Sequence, residues 1–289
     1  VPRNRKAEFH RMPFKVSFAH IEDDDPNTAA MFAVASDAHD LVEAILRDIG
    51  AREISGADRT NESLRRLILY LGTVFNELFI ASAHLGVLEM PRAQAALNRQ
   101  LFELSVRMRW LLSHPDQALR LMDSLPKFPY EEIAKSGAEL KPDLRAGIIA
   151  NYEAWRDAHE DLDATVSARD RFGEMARDAL GVERAGKDML WYYGVPSIIM
   201  HGKPHGIADV MTIRDDGQME RSIVSKWFDR GDELSRALGI ALELATLLTR
   251  AYGLEQSRLI AMNTRFDGAL REQGLEPELV PVVPQTGLA

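Results

Sequence analysis

The sequence predicts an all-α protein, a multi-helix bundle with one small β-hairpin near 209–224. Three observations carry this expectation. Apolar residues recur at steps of three and four over long stretches; proline, glycine and capping residues bound those stretches; and a strand pattern with a hairpin turn occurs only once.

Residues 1–25 contain Pro2 and Pro13 and show no helical period, so they are expected to be irregular. The acidic run Glu22-Asp23-Asp24-Asp25 before Pro26 marks a helix start. Carboxylates there face the positive end of the helix dipole, and the N–H that proline lacks would have no partner in a first turn. The first helix is expected from about Asn27 to Ile49, ending at Gly50. Thr60 is placed to cap the second, whose apolar run from Leu67 reaches Glu89 or Met90 before Pro91. Asn76, Glu77 and His84 interrupt that run, and a carboxylate at mid-bilayer is costly, so it reads as a fully buried core helix and not as a membrane span. In the third helix Leu97, Leu101, Leu104, Met108 and Leu111 form the seam of an antiparallel pair. Phe102, Val106 and Trp110 lie on its other side, which makes this helix central.

Beyond His114-Pro115 the pattern gives a short helix to about Leu125, a connection broken by Pro126 and Pro129, a helical piece ending near Gly137, and a helix from Pro142 to about Leu162. Residues 167–180 read as helix stopped by Gly181. The next helix covers about Arg184 to Met200 and contains Pro196, whose missing N–H predicts a kink near Tyr192. Asp209 to Ile213 and Gln218 to Val224 flank Asp215-Asp216-Gly217, the hairpin signal. Two closing helices, about Asp232 to Tyr252 and Gln256 to Gln273, end at Gly253 and Gly274, where left-handed caps are wanted. No repeat or composition break divides 26–274, which is expected to be a single helical domain followed by a loose tail, 275–289.

The 289 residues carry a net charge of −9, and the basic residues near the N-terminus make the remainder more acidic still. A phosphate backbone would be repelled by most of such a surface, which argues against general nucleic-acid binding while leaving room for a local basic site. The absence of cysteine removes disulfides, thiolate metal sites and cysteine nucleophiles and points to the cytoplasm. No apolar segment follows the basic N-terminus, so no signal peptide is expected.

The sequence has no Gly-rich phosphate loop, no Gly-x-Ser-x-Gly elbow, no His-Glu-x-x-His and no Ca-binding loop. What remains is polar residues where the pattern wants apolar ones. The short connection at Met90-Pro91 makes helices two and three antiparallel neighbours, and equal distances from it set Glu77 near Glu103 and Arg107, and His84 near Asn98 and Arg99. Arg99 and Glu103, four apart, lie beside the second apolar face; an ordinary surface ion pair, a structural network and a functional site all fit them.

The most distinctive stretch runs from Trp191 to Gly206. Tyr193, Ser197 and His201 share a helix face, and Gly202 and Pro204 end the helix just after His201, where the dipole favours a charged imidazole. His201 and His205 are divided by that helix end and do not form a one-face metal pair, so no metal and no cofactor are expected. Ser197 lacks the elbow of a serine nucleophile.

With Arg99-x-x-x-Glu103 on a central helix and Ser197-x-x-x-His201-Gly202 at a later helix end, the chain resembles an uncharacterised family of bacterial helical proteins, over roughly residues 60–205. More remotely it is similar to the HEPN superfamily, whose ribonuclease members use an Arg four to six residues before a His near a helix end. Here those places hold Ser197, Pro196 and Val195, so the RNA-cleaving pair is not carried over. The expectation is a ligand- or partner-binding module with a buried polar patch drawn from Glu77, Arg99, Glu103, Ser197 and His201, with His84, Arg107, Tyr193 and His205 as secondary candidates. Its occupant would be a small molecule or a protein partner. The alternatives are a metal-independent, HEPN-like ribonuclease or antiviral effector, with His201 as acid or base and Arg99 on the phosphate, and a structural homo-oligomer.

Overall fold

The computed structural model describes residues 26–52, 58–123, 130, 141–158, 172–201, 209, 211–213, 219–221, 225 and 228–272. Its first three helices are α1 (Pro26–Ala51), α2 (Arg59–Val87) and α3 (Pro91–Ser113). Proline opens α1 and α3 as expected, and α1 runs past Gly50 to Ala51. The cap of α2 is Asp58 and not Thr60: the Asp58 carboxylate accepts from the Asn61 backbone N–H at 3.0 Å. The turn from α2 to α3 passes through Glu89 in the left-handed region, φ +54°, with Met90 N–H donating to Leu85 C=O at 2.8 Å.

Next come α4 (Pro115–Asp123), α5 (Pro142–Ala158), α6 (Phe172–Leu180) and α7 (Val182–Asp188). The chain then widens into one π-helical segment, Met189–Gly194, before α8 (Val195–Met200). Pro196 has no N–H for the Tyr192 carbonyl; in the turn before it, Val195 N–H reaches five residues back to Leu190 C=O. The irregularity predicted near Tyr192 therefore takes the form of a π turn. The closing helices are α9 (Arg230–Ala251), capped by the Asp229 carboxylate, and α10 (Ser257–Glu272). Gly253, φ +55°, takes the left-handed position after α9.

The described residues are overwhelmingly helical, and the all-α class holds. They do not support a hairpin over 209–224. The pairing described is three residues long, β1 (Met211–Ile213) antiparallel to β2 (Met219–Arg221), and the turn residues lie outside the described set. Outside it too are residues 1–25 and 275–289, the connection through Pro126 and Pro129, and His205.

Four helices, α1, α2, α3 and α9, pack on one another around the core, with α10 laid on α1 and α9, α4 on α2, and α6 and α8 on α3. Met31, Ala35, Ala38, Val42, Ile45 and Ile49 bury one stripe of α1 at alternating steps of four and three. Leu234, Leu238, Ala241, Ala245 and Leu248 do the same on α9. The membrane-length helix α2 buries Ile68, Gly72, Phe75, Phe79 and Ala83 but exposes Tyr70, Glu77 and His84; it is amphipathic, not fully buried. A Cβ built on Gly72 would lie 2.5 Å from Leu46 Cδ2, so this glycine sets the close approach of α1 to α2.

Candidate functional site

The buried seam of α3 keeps Leu101, Met108 and Leu111 of the expected one but not Leu97 and Leu104. Gln94, Asn98, Leu101, Met108 and Leu111 are buried, whereas Leu97 and Leu104 are half-buried. Two seam places thus hold amides. Asn98, 2% exposed, satisfies its amide fully: it accepts from Ser82 Oγ at 2.6 Å and donates to Glu233 Oε2 at 2.8 Å and Glu233 C=O at 2.7 Å. Arg236 pairs with the other Glu233 oxygen. Ser82 and Asn98 are equally far from Met90, so the counting rule that sets α2 against α3 holds, with Ser82 in the place expected for His84. His84 points to solvent, its Nδ1 2.9 Å from Ile80 C=O. Burial pushes the Glu233 carboxyl above the usual glutamate range, an effect that Arg236 and Asn98 partly offset.

Arg99 leaves α3 one residue on and meets α8. Its guanidinium carbon lies 4.2 Å from the centre of the Tyr193 ring, and Nη1 is 3.3 Å from Met200 Sδ. The Glu103 carboxylate stands 2.9 Å from Nη2 as an ion pair, and among the described residues neither Glu103 Oε1 nor the buried Arg99 Nε has a hydrogen-bond partner. The Arg99 side chain is only 12% exposed. Tyr193 stacks at 5.2 Å on Phe172, which meets Phe102 edge-on at 6.1 Å, and Phe102 stacks at 5.2 Å on Tyr192. The π turn thereby places both tyrosines against α3, where burial drives the Tyr192 hydroxyl up to about 12.

The Arg99 and Ser197-to-His201 segments are therefore in contact, and Arg99, Glu103 and Tyr193 form one constellation. Ser197 is buried beside it, but its hydroxyl donates to the Tyr193 carbonyl on its own helix. His201 joins Ser197 only through its backbone N–H, 3.1 Å from Ser197 C=O, and is itself exposed. Glu77 is exposed and makes no hydrogen bond or ion pair among the described residues. Arg107 is half-buried, two turns along α3 from Arg99.

Sequence reasoning missed a second charged assembly. Glu243 on α9 receives Arg109 of α3 and Arg184 of α7, the latter at 2.5 Å, and Arg184 Nε also donates to Asp188 at 3.1 Å. Burial lowers the Arg109 pKa; at Arg184 the same effect is outweighed by Glu243 and Asp188, and the net direction is up. Asp209, fully buried, accepts from Arg92 Nε at 2.6 Å and from Ser225 at 2.9 Å, tying the segment before α9 to the start of α3. The pairings of Glu243 with Arg109 and Arg184, and of Asp209 with Arg92, join residues more than fifty apart, which no local pattern signals. Among the described residues no group of three or more His, Asp or Glu could hold a metal ion. One groove of about 330 Å³ lies between α1 and α10 and another of about 300 Å³ between α1, the end of α9 and the start of α10, both away from Arg99.

Compared with known proteins, the chain matches no family model, no curated protein and no solved structure. The comparisons thus give no support to the resemblance drawn from the Arg99 and His201 motifs. The geometry of the site is left to carry the functional reading.

Proposed function

We propose that this protein is a binding module, not an enzyme, and that a small polar molecule or a partner segment docks where α3 meets α8, accepting hydrogen bonds from Arg99. One observation supports this above the others: the nearly buried Arg99 guanidinium has an aromatic face, a thioether and the Glu103 carboxylate for company, and its Nε has no acceptor among the described residues. A desolvated cation so poorly satisfied is costly, whereas the neighbouring Asn98 amide is fully paired. An acceptor group arriving from outside would complete the Arg99 shell.

Thermal unfolding of the parent and of Arg99→Gln against a panel of small carboxylates, amides and phosphates tests the reading, together with pull-downs using both proteins. The expected result is a compound that raises the parent Tm and not that of the variant, or a partner retained by the parent alone. No stabilising compound and no Arg99-dependent partner would sink it. For the ribonuclease alternative, Ser197 is engaged with its own helix and His201 has no contact with Arg99 among the described residues. Labelled RNA should therefore survive equally with the parent and with His201→Ala.

A further inference from the structure

Met200, the last residue of α8, is 38% exposed, and its sulfur is engaged: Arg99 Nη1 donates to Sδ at 3.3 Å. A thioether is a weak acceptor. Here it faces a guanidinium whose side chain is only 12% exposed and whose Nε has no hydrogen-bond partner among the described residues. The contact joins the end of α8 to α3, whereas the Ser197 hydroxyl, one turn earlier, donates within its own helix.

An exposed methionine is ordinary, and packing alone accounts for one laid beside an arginine. What sets Met200 apart is exposure combined with a cation on its sulfur. Met90, the other exposed methionine among the described residues, has no hydrogen-bond partner for its sulfur among them, and Met31 and Met108 are fully buried. The chain has no cysteine, so its thioethers are its only sulfur nucleophiles.

We propose that Met200 is a site of oxidation by hydroperoxides, and that its sulfoxide oxygen becomes the acceptor for the Arg99 guanidinium, fastening α8 to α3. A sulfur lone pair attacks one peroxide oxygen, and the S–O bond forms as the O–O bond breaks. The proton of the transferred oxygen passes to the departing one, which leaves as water, or as an alcohol from an organic hydroperoxide. Sulfur loses two electrons and the peroxide gains them. The new oxygen is one bond from a sulfur already 3.3 Å from Nη1, so rotation about the last bonds of this flexible side chain brings it to the guanidinium. A sulfoxide oxygen facing a cation makes a charge-assisted hydrogen bond in place of a weak sulfur contact. Methionine oxidation ordinarily loosens a fold by setting a polar group among apolar ones. At this place the sign is reversed, because the polar group meets an under-satisfied donor.

The test is treatment of the parent, Met200→Leu and Arg99→Leu with dilute hydrogen peroxide, followed by peptide mass spectrometry and thermal unfolding. One added oxygen is expected on the parent peptide that holds Met200. The Met200→Leu protein subtracts oxidation at the other methionines; after that subtraction, oxidation should raise the Tm of the parent and fail to raise that of Arg99→Leu. Met200→Gln offers a route without oxidant, since it sets an amide oxygen where the sulfoxide oxygen would lie. Relative to Met200→Leu it should raise Tm when Arg99 is present and not when Arg99 is replaced by leucine, a favourable coupling in a double-mutant cycle. No ligand enters these measurements, so they stand or fall apart from the binding reading of Arg99. Met200 left unmodified while Met90 is oxidised would overturn the proposal. So would a Tm shift on oxidation that is the same with and without Arg99. If Arg99→Leu does not fold, a Met200→Gln protein no more stable than Met200→Leu overturns it alone.

Discussion

Asn98 and Arg99 are adjacent in sequence and opposite in kind. Asn98 is a hub whose partners on α2 and α9 would both be left buried and unpaired by Asn98→Ala, so a urea titration should show a loss of about 2–4 kcal/mol. A loss below about 0.5 kcal/mol would mean the hub does not hold those helices together. His201 is exposed, and His201→Ala should stay within about 0.5 kcal/mol of the parent. Glu233 gives a pH signature. Burial raises its folded pKa, so the folded chain keeps the proton to higher pH than the unfolded chain does, and stability falls as pH rises from the ordinary value of 4.5. Glu233→Gln removes that slope, leaving a residue of the same sign from Asp188, whose pKa is also raised by burial. Urea midpoints measured across this range should decline less steeply in the variant; an unchanged decline would remove Glu233 as the source. The sequence offered Arg99, Glu103 and Tyr193 because charged and aromatic residues stand out on an apolar helix. It set Asn98 opposite α2 but not its role, which is recognisable only once Ser82 and Glu233 are placed beside it, and it gave no sign of the buried Gln94.

At the scale of elements, the helices were legible because their signals are local: Pro26, Pro91, Pro115 and Pro142 each open one, and Gly181 and Gly253 follow two others with positive φ. The cap of α2 was misread by two residues because Asp58 and Thr60 are both good capping types, and only the Asp58–Asn61 geometry chooses between them. Pro196 announced an irregularity but not its form, since a kink and a π turn both accommodate the carbonyl it cannot satisfy. The face of α2 that is buried depends on Gly72, where α1 comes close. Gly72→Ala forces Leu46 aside in a packed core and is expected to cost about 1–3 kcal/mol, measured as a lowered urea midpoint with unchanged m. A neutral result would mean that α1 and α2 are free to move apart.

Across the whole molecule, buried charge falls into two classes. Glu243 neutralises Arg109 and Arg184 and so binds α3, α7 and α9 together; Glu243→Leu strands Arg109, leaves Arg184 with Asp188 alone, and is expected to cost about 3–5 kcal/mol in denaturant titration. A small effect there would show that these helices dock through their apolar contacts alone. Arg99 belongs to the second class, a cation paired with Glu103 on its own helix but with its Nε lacking a hydrogen-bond partner among the described residues. Composition foretold a real core and the apolar periodicity a helical body, but not this division, which depends mostly on contacts between different helices. On the proposed reading, Arg99 is kept for binding and not for stability. The unfolding free energy of Arg99→Met against the parent tests it most directly. The variant is expected to be as stable as the parent or more so, because an under-satisfied cation gives way to an apolar chain of similar length. A loss of several kcal/mol would contradict it and make Arg99 a structural member of the bundle.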